Sequence, residues 1–348
     1  MSDDWQSFFA KDASLFPHLA DLQKEQVLLS TMSEAAFRQA SFLDQRIFTP
    51  DLQRQVVSWA DVASVPLANL PKPQYIFHIG HVGSTLISRL LGEIDSILAL
   101  REPAILRQLA DVRINNPAEI GWTGDEQAKR LDQVEHWLSR TFHPDQRVMI
   151  KASSFVSPLA QDLLAGSGTA LFLVASRERY LQTILAGDAS KQEAAALTEL
   201  RLKRLEQHLG QPVGTMEQLT LAQTSALGWL CEMVTLCDAE KRCPDADIMW
   251  MDFDHFLNQP AGKLQSAADH FGRSLPLDQA EKLVSGPIMT SYSKAPEYDY
   301  SASLREELLA EAGKIHADDI RQTLLWIDQL ARQHPKVAAA IATAETKR

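Results

Sequence analysis

Gly80-His81-Val82-Gly83-Ser84-Thr85 follows the apolar run Tyr75–Ile79 and opens into Leu86-Ile87-Ser88-Arg89-Leu90-Leu91, whose spacing predicts an amphipathic helix. A glycine loop between a strand and a helix suits a phosphate. The free N–H groups and dipole of the helix start attract an anion, and glycine lets the ligand come close to the backbone. Gly80 and Gly83 are separated by only two residues, and no Lys precedes Ser84. An ATPase loop of the Walker type needs four residues between its glycines, followed by Lys-Ser/Thr. The segment therefore reads as a phosphate loop of another kind, in which the Ser84 and Thr85 hydroxyls can cap the helix or donate to a bound oxygen.

Further chemistry-bearing residues fall where other strand-like runs end. Ile97–Leu100 leads to Arg101-Glu102-Pro103, Val148–Ile150 to Lys151-Ala152-Ser153-Ser154, and Ala170–Ala175 to Ser176-Arg177-Glu178-Arg179, with Thr183 on the helix that follows. From the residues alone, Glu102 is either a base or a solvated acid before a helix. Lys151 is either an anion contact or an exposed ion-pairing side chain. Arg177 and Arg179 suit either a second phosphate, which Arg matches bidentately, or a surface network with Glu178.

The elements that must position these residues are apolar strands alternating with helices. Together with Ile248–Phe253, they predict an α/β fold with a parallel sheet flanked by helices, whose ligand sits beyond the carboxyl ends of the strands. The expected organisation is a helical N-terminal extension over 1–72, ending at Leu70-Pro71-Lys72-Pro73. An α/β core over 73–300 follows, with a helical insertion around 191–242, and then C-terminal helices over 301–348 packed on the core. Met216–Arg242 has the apolar spacing of a core-facing helix.

The 348 residues are 45% hydrophobic, enough for a sizeable core, and the net charge of −11 argues against a broad nucleic-acid surface. An anionic ligand must then be caught by a local cluster of cations and N–H groups. Cys231, Cys237 and Cys243 read as reduced thiols without metal-like partners. The acidic start of the chain has no signal-peptide pattern and no run reaches a membrane span, so a cytoplasmic protein without a membrane segment is expected.

Strand, then Gly-His-Val-Gly-Ser-Thr-Leu-Ile, then helix resembles the 5′-phosphosulfate loop of sulfotransferases, usually Pro-Lys/Arg-Ser-Gly-Thr-Thr. Gly83, Ser84 and Thr85 match its glycine and two hydroxyl residues. Gly80 stands at the usual Pro, and His81 replaces the usual Lys or Arg. The likeness is nearest to the protein-tyrosine and bacterial glycolipid branches, and it covers roughly residues 73 to 300. It implies a P-loop-like fold and 3′-phosphoadenosine 5′-phosphosulfate as donor, with no metal. Gly80, His81, Val82, Gly83, Ser84 and Thr85 would hold the phosphosulfate, and Glu102 would be the catalytic base. Lys151, with His81, would hold the transferred group. Ser153 stands where the cytosolic branch keeps its His. Arg177, or Arg179 in its place, and Thr183 would bind the 3′-phosphate, and Tyr292-Ser293-Lys294 would close over the nucleotide.

The reaction so implied is in-line sulfuryl transfer to a hydroxyl or amine. The acceptor is unspecified: a small molecule, glycan, lipid or peptide, with no nucleic acid. A homo-oligomer is compatible with the sequence. Two other classes stay open, a non-catalytic nucleotide-binding or assembly protein on the same scaffold and a nucleotide-dependent kinase with a variant loop. His81 is the main departure, since an imidazole carries less charge at neutral pH than Lys. Acceptor contacts are expected from 1–72, from Asn115–Glu126, where Trp122 is either a stacking platform or an anchor, and from Lys191–Thr215.

Overall fold

The computed structural model of the protein describes residues 5–290 and 301–347. The N-terminal part departs from the expected helical extension. It carries strands β1 (Leu15–Asp21), β2 (Gln26–Thr31) and β3 (Arg54–Ser58) in an antiparallel sheet of order β1-β2-β3, with only short helices around them. The helix formers Lys24, Glu25, Gln26 and Leu28-Leu29 mask a hairpin whose turn has no Asn-Gly signal; Glu25 itself takes the left-handed conformation, at φ +50°. Pro17 sits at an irregularity of the β1–β2 register, and β3 joins from far along the chain. Long-range pairing overrides local propensity here.

His18 on β1 is fully buried. Burial pushes its imidazole from 6.5 down to about 4, outweighing nearby Asp44, which pulls the other way. The folded-state value lies below the unfolded one. The associated stability is complete above about pH 6.5 and is lost as pH falls toward 4, amounting to about 3 kcal/mol. His18→Leu should therefore flatten the acid side of the Tm–pH curve relative to wild type; parallel curves between pH 6.5 and 4.5 would contradict this.

The core is the expected parallel sheet. It comprises β4 (Gln74–His78), β5 (Ile97–Arg101), β6 (Arg147–Lys151), β7 (Thr169–Val174) and β8 (Asp247–Asp252), in the order β5-β6-β4-β7-β8. All residues of β4 and β5 are buried, as befits strands covered on both faces. After β4 the chain crosses to one side for β5 and β6, then to the other for β7 and β8. This reversal opens a crevice at the carboxyl end of β4. Register fixes what meets there: Lys151 stands opposite Ile76 on one side and Arg101 on the other, and the Glu102 N–H donates to Lys151 O at 2.7 Å.

Arg101, 1% exposed, ties the N-terminal part to this end of the sheet. Its Nη1 donates to the carbonyls of Phe37 and Ala40 at 2.8 and 2.6 Å, at the end of the short helix Glu34–Gln39. The insertion holds helices Asp188–Ala196, Thr198–Leu209 and Leu221–Arg242, and the last of these is buried along most of its length, as its spacing predicts. Helices Ala302–Ile315, Ala317–Gln333 and Pro335–Thr346 complete the described chain. The three cysteines are free thiols. No helix among the described residues is long and apolar enough to cross a membrane.

Candidate active site

The glycine loop forms one wall of a cavity of about 650 Å³, a size suited to a small-molecule ligand. Gly80 has φ +85° and Gly83 φ +63°. The Gly80 N–H donates to His78 Nδ1 at 3.0 Å, which turns the chain away from β4. Gly83 is the N-cap of the helix Ser84–Leu91 and offers no side-chain cap. Among the described residues no protein acceptor meets the N–H groups of Gly83, Ser84 and Thr85. Thr85, 3% exposed, adds a buried Oγ1 with no partner. These donors face the cavity without internal acceptors, the arrangement an oxyanion needs.

Glu102 and Lys151 line the same cavity. Lys151 is 1% exposed, and its ammonium donates to Glu102 Oε1. A buried ammonium is stable only with such a partner. Glu102 has φ +52° and His81 φ +55°, so two of the expected site residues hold a left-handed conformation that side chains rarely adopt. His81 Nε2 lies 3.7 Å from Glu193 Oε2, on the insertion. The lining also holds Arg46 stacked over Phe42 at 3.5 Å and Arg107 over Phe155 at 4.2 Å.

Gly80, His81, Val82, Gly83, Ser84, Thr85, Glu102, Lys151 and Thr183 thus line one cavity. Thr183 reaches it with its hydroxyl donating to Arg179 O at 2.7 Å. Arg177 is not part of the lining. Its guanidinium meets Asp328 at 2.6 Å and Glu345 at 3.7 Å, so charge pairing turns it toward the C-terminal helices and away from the ligand position expected for it. Arg179 pairs with Asp254 at 2.8 Å and with Glu306. Tyr292, Ser293 and Lys294 lie outside the described residues. Trp122 is buried against Trp59, with ring centroids 6.5 Å apart, and is an anchor rather than a stacking platform. Asp252 accepts from the N–H groups of Asp254 and His255, capping the next helix.

Several lining residues escape sequence reasoning. Phe253 packs beneath Gly83, and Leu304, Arg305 and Leu308 come from the helix Ala302–Ile315. Arg201 comes from the insertion, where Thr198, Arg201, Arg204 and Leu205 share the buried face of one helix. The available signal is the helical spacing, which puts two arginines on an apolar face. Tyr180, beside Arg201, is fully buried, and burial pushes its phenol up to about 12, keeping it a donor at neutral pH.

No protein-family model matches the sequence, and no curated protein matches it. Among solved structures the chain is similar to the sulfotransferase domain from the curacin biosynthetic pathway, at 11% identity over 72% of this chain and 99% of that one, with a TM-score of 0.41. It is similar to a sulfotransferase from Alicyclobacillus acidocaldarius at 14% identity over 71% and 94% of the two chains, TM-score 0.34. A sulfotransferase from Mycobacterium avium gives 13% identity over 74% and 79%, TM-score 0.34. These three structures bear the name of the family that the loop motif resembles.

Proposed function

We propose that the protein transfers a sulfuryl group from 3′-phosphoadenosine 5′-phosphosulfate to a hydroxyl or amine. The observation that carries this reading is that the loop with its unpartnered donors, Thr85 Oγ1 among them, and the Glu102–Lys151 pair line one cavity. The loop N–H groups and the helix start hold the phosphosulfate and stabilise the negative charge that grows on the bridging oxygen. Lys151 has three donors, so it can keep Glu102 oriented while contacting a sulfuryl oxygen.

As the acceptor oxygen or nitrogen bonds to sulfur, its proton passes to the free oxygen of Glu102. The sulfur–oxygen bond to the phosphate breaks, and its electron pair leaves with 3′,5′-bisphosphoadenosine. General-base help of this kind is typically worth about 10²–10⁴-fold. The test uses radiolabelled donor with a panel of phenols, sugars, lipids and peptides in metal-free buffer. Label transfer coupled to release of 3′,5′-bisphosphoadenosine is expected, and donor left intact in the presence of every acceptor class would contradict the reading.

A further inference from the structure

The other buried arginines have partners. Arg101 donates to the carbonyls of Phe37 and Ala40, Arg140 to those of Phe9, Asp12 and Leu15, and Arg204 pairs with Glu232 at 2.7 Å. Arg201 lies one turn before Arg204 on the same helix and is 7% exposed. Among the described residues its guanidinium has no hydrogen-bond or ion-pair partner, and it lines the cavity. A largely enclosed guanidinium with no paired carboxylate, its donors open only to the cavity, is placed to take an anion from outside the chain.

A second group converges on the same place. The Tyr180 hydroxyl is buried without a partner. A Cβ on Gly228 would stand 2.4 Å from Tyr180 Oη and 3.1 Å from Arg201 Cζ and Nη1, so the missing side chain of this helical glycine is what lets the two approach each other. A Cβ on Gly80 would lie 4.0 Å from the same Tyr180 oxygen, which sets the pair beside the first glycine of the loop. The carboxylates that act on Tyr180 are Glu232, which pairs with Arg204, and Glu193, which lies 3.7 Å from His81.

We infer that Arg201, with Tyr180 beside it, forms an oxyanion subsite at the Gly80 end of the loop and supplies the permanent positive charge that His81 does not. The ligand group is the tetrahedral oxyanion of a sulfate or phosphate, and its place in the donor nucleotide rests on the sulfuryl-transfer reading. Arg201 offers a forked set of donors that suits such a group. Tyr180 adds a neutral hydroxyl donor.

The test compares wild type, Arg201→Met and Arg201→Lys by calorimetric titration with inorganic sulfate and with 3′,5′-bisphosphoadenosine, alongside the ligand-free Tm. Arg201→Met should weaken binding about ten- to hundredfold, the usual range for losing a charge-assisted hydrogen bond. Its ligand-free Tm should be equal to or above that of wild type, because the buried charge is gone. Arg201→Lys should recover part of the affinity. Sulfate binding that depends on Arg201 without any nucleotide binding would support the subsite and overturn the nucleotide reading. The subsite is overturned if Arg201→Met binds both anions as wild type does, if wild type binds neither, or if Arg201→Met mainly lowers the ligand-free Tm.

Discussion

Glu102→Gln should lower kcat about 10²–10⁴-fold while leaving the Kd for 3′,5′-bisphosphoadenosine within about threefold of wild type. The amide oxygen still accepts from the Lys151 ammonium, so the buried charge keeps this contact and the end of the sheet keeps its register. What disappears is an atom able to take the acceptor's proton. Because product binding in the proposed reaction would rest on the loop donors, affinity and rate should separate, the signature of an interaction made only in the transition state. Glu102→Ala differs because it strips the ammonium of this acceptor, and stability should fall along with rate. A Glu102→Gln protein of wild-type kcat would remove Glu102 from the chemistry. It would leave a nucleotide-binding scaffold as the better description.

Gly83→Ala should cost about 3 kcal/mol of stability and abolish anion binding. Its φ of +63° penalises any side chain by about 1 kcal/mol. A Cβ would also stand only 1.9 Å from Phe253 Cε2. That ring is buried and stacked on Phe256, with centroids 6.2 Å apart, so it yields only by disturbing the packing under the loop, typically another 1–3 kcal/mol. Gly80→Ala provides the contrast, since its Cβ would meet nothing nearer than 4.0 Å and only the conformational penalty applies. Urea unfolding of the two variants, and of Gly83→Ala combined with Phe253→Ala, checks this. The loss in the double variant should be smaller than the sum of the losses of Gly83→Ala and Phe253→Ala measured singly, because without the ring there is no clash. A Gly83→Ala midpoint equal to that of Gly80→Ala would contradict the account.

What the sequence reveals follows from how local the signal is. Gly80, Gly83, Ser84 and Thr85 are legible because backbone freedom and hydroxyl chemistry are demanded within one turn of chain. Glu102 and Lys151 are legible as strand-end residues. That they meet each other depends on β5 and β6 being neighbours, which only the sheet order shows. Arg177 illustrates the opposite. Its strand-end position suggests a ligand contact, yet its partner Asp328 lies 151 residues away, on a helix whose docking no motif announces. Arg201 is hidden in the same way, in an insertion placed by packing against Gly228 and Tyr180. The N-terminal strands are missed because β2 carries helix-forming residues and gains its strand character from β1 and β3.

These placements give the site an electrostatic design suited to a chain of net charge −11. Most cations around the cavity are already paired: Arg46 with Asp44, Arg305 with Asp254, and Lys151 with Glu102. Such pairs hold the shape of the site in the free protein. Among the described residues the N–H groups of Gly83, Ser84 and Thr85, Thr85 Oγ1 and the Arg201 guanidinium have no protein acceptor and are open to a ligand.

The central claim is that this cavity takes an adenosine nucleotide bearing phosphates at both ends of its ribose, without a metal ion. Calorimetric titration of the wild-type protein with 3′,5′-bisphosphoadenosine and with ATP, each with and without Mg²⁺, tests it most directly. The account predicts saturable binding of the bisphosphate in metal-free buffer, at least tenfold tighter than ATP and unchanged by Mg²⁺. No heat of binding at millimolar bisphosphate, or a preference for ATP that appears only with Mg²⁺, would contradict it.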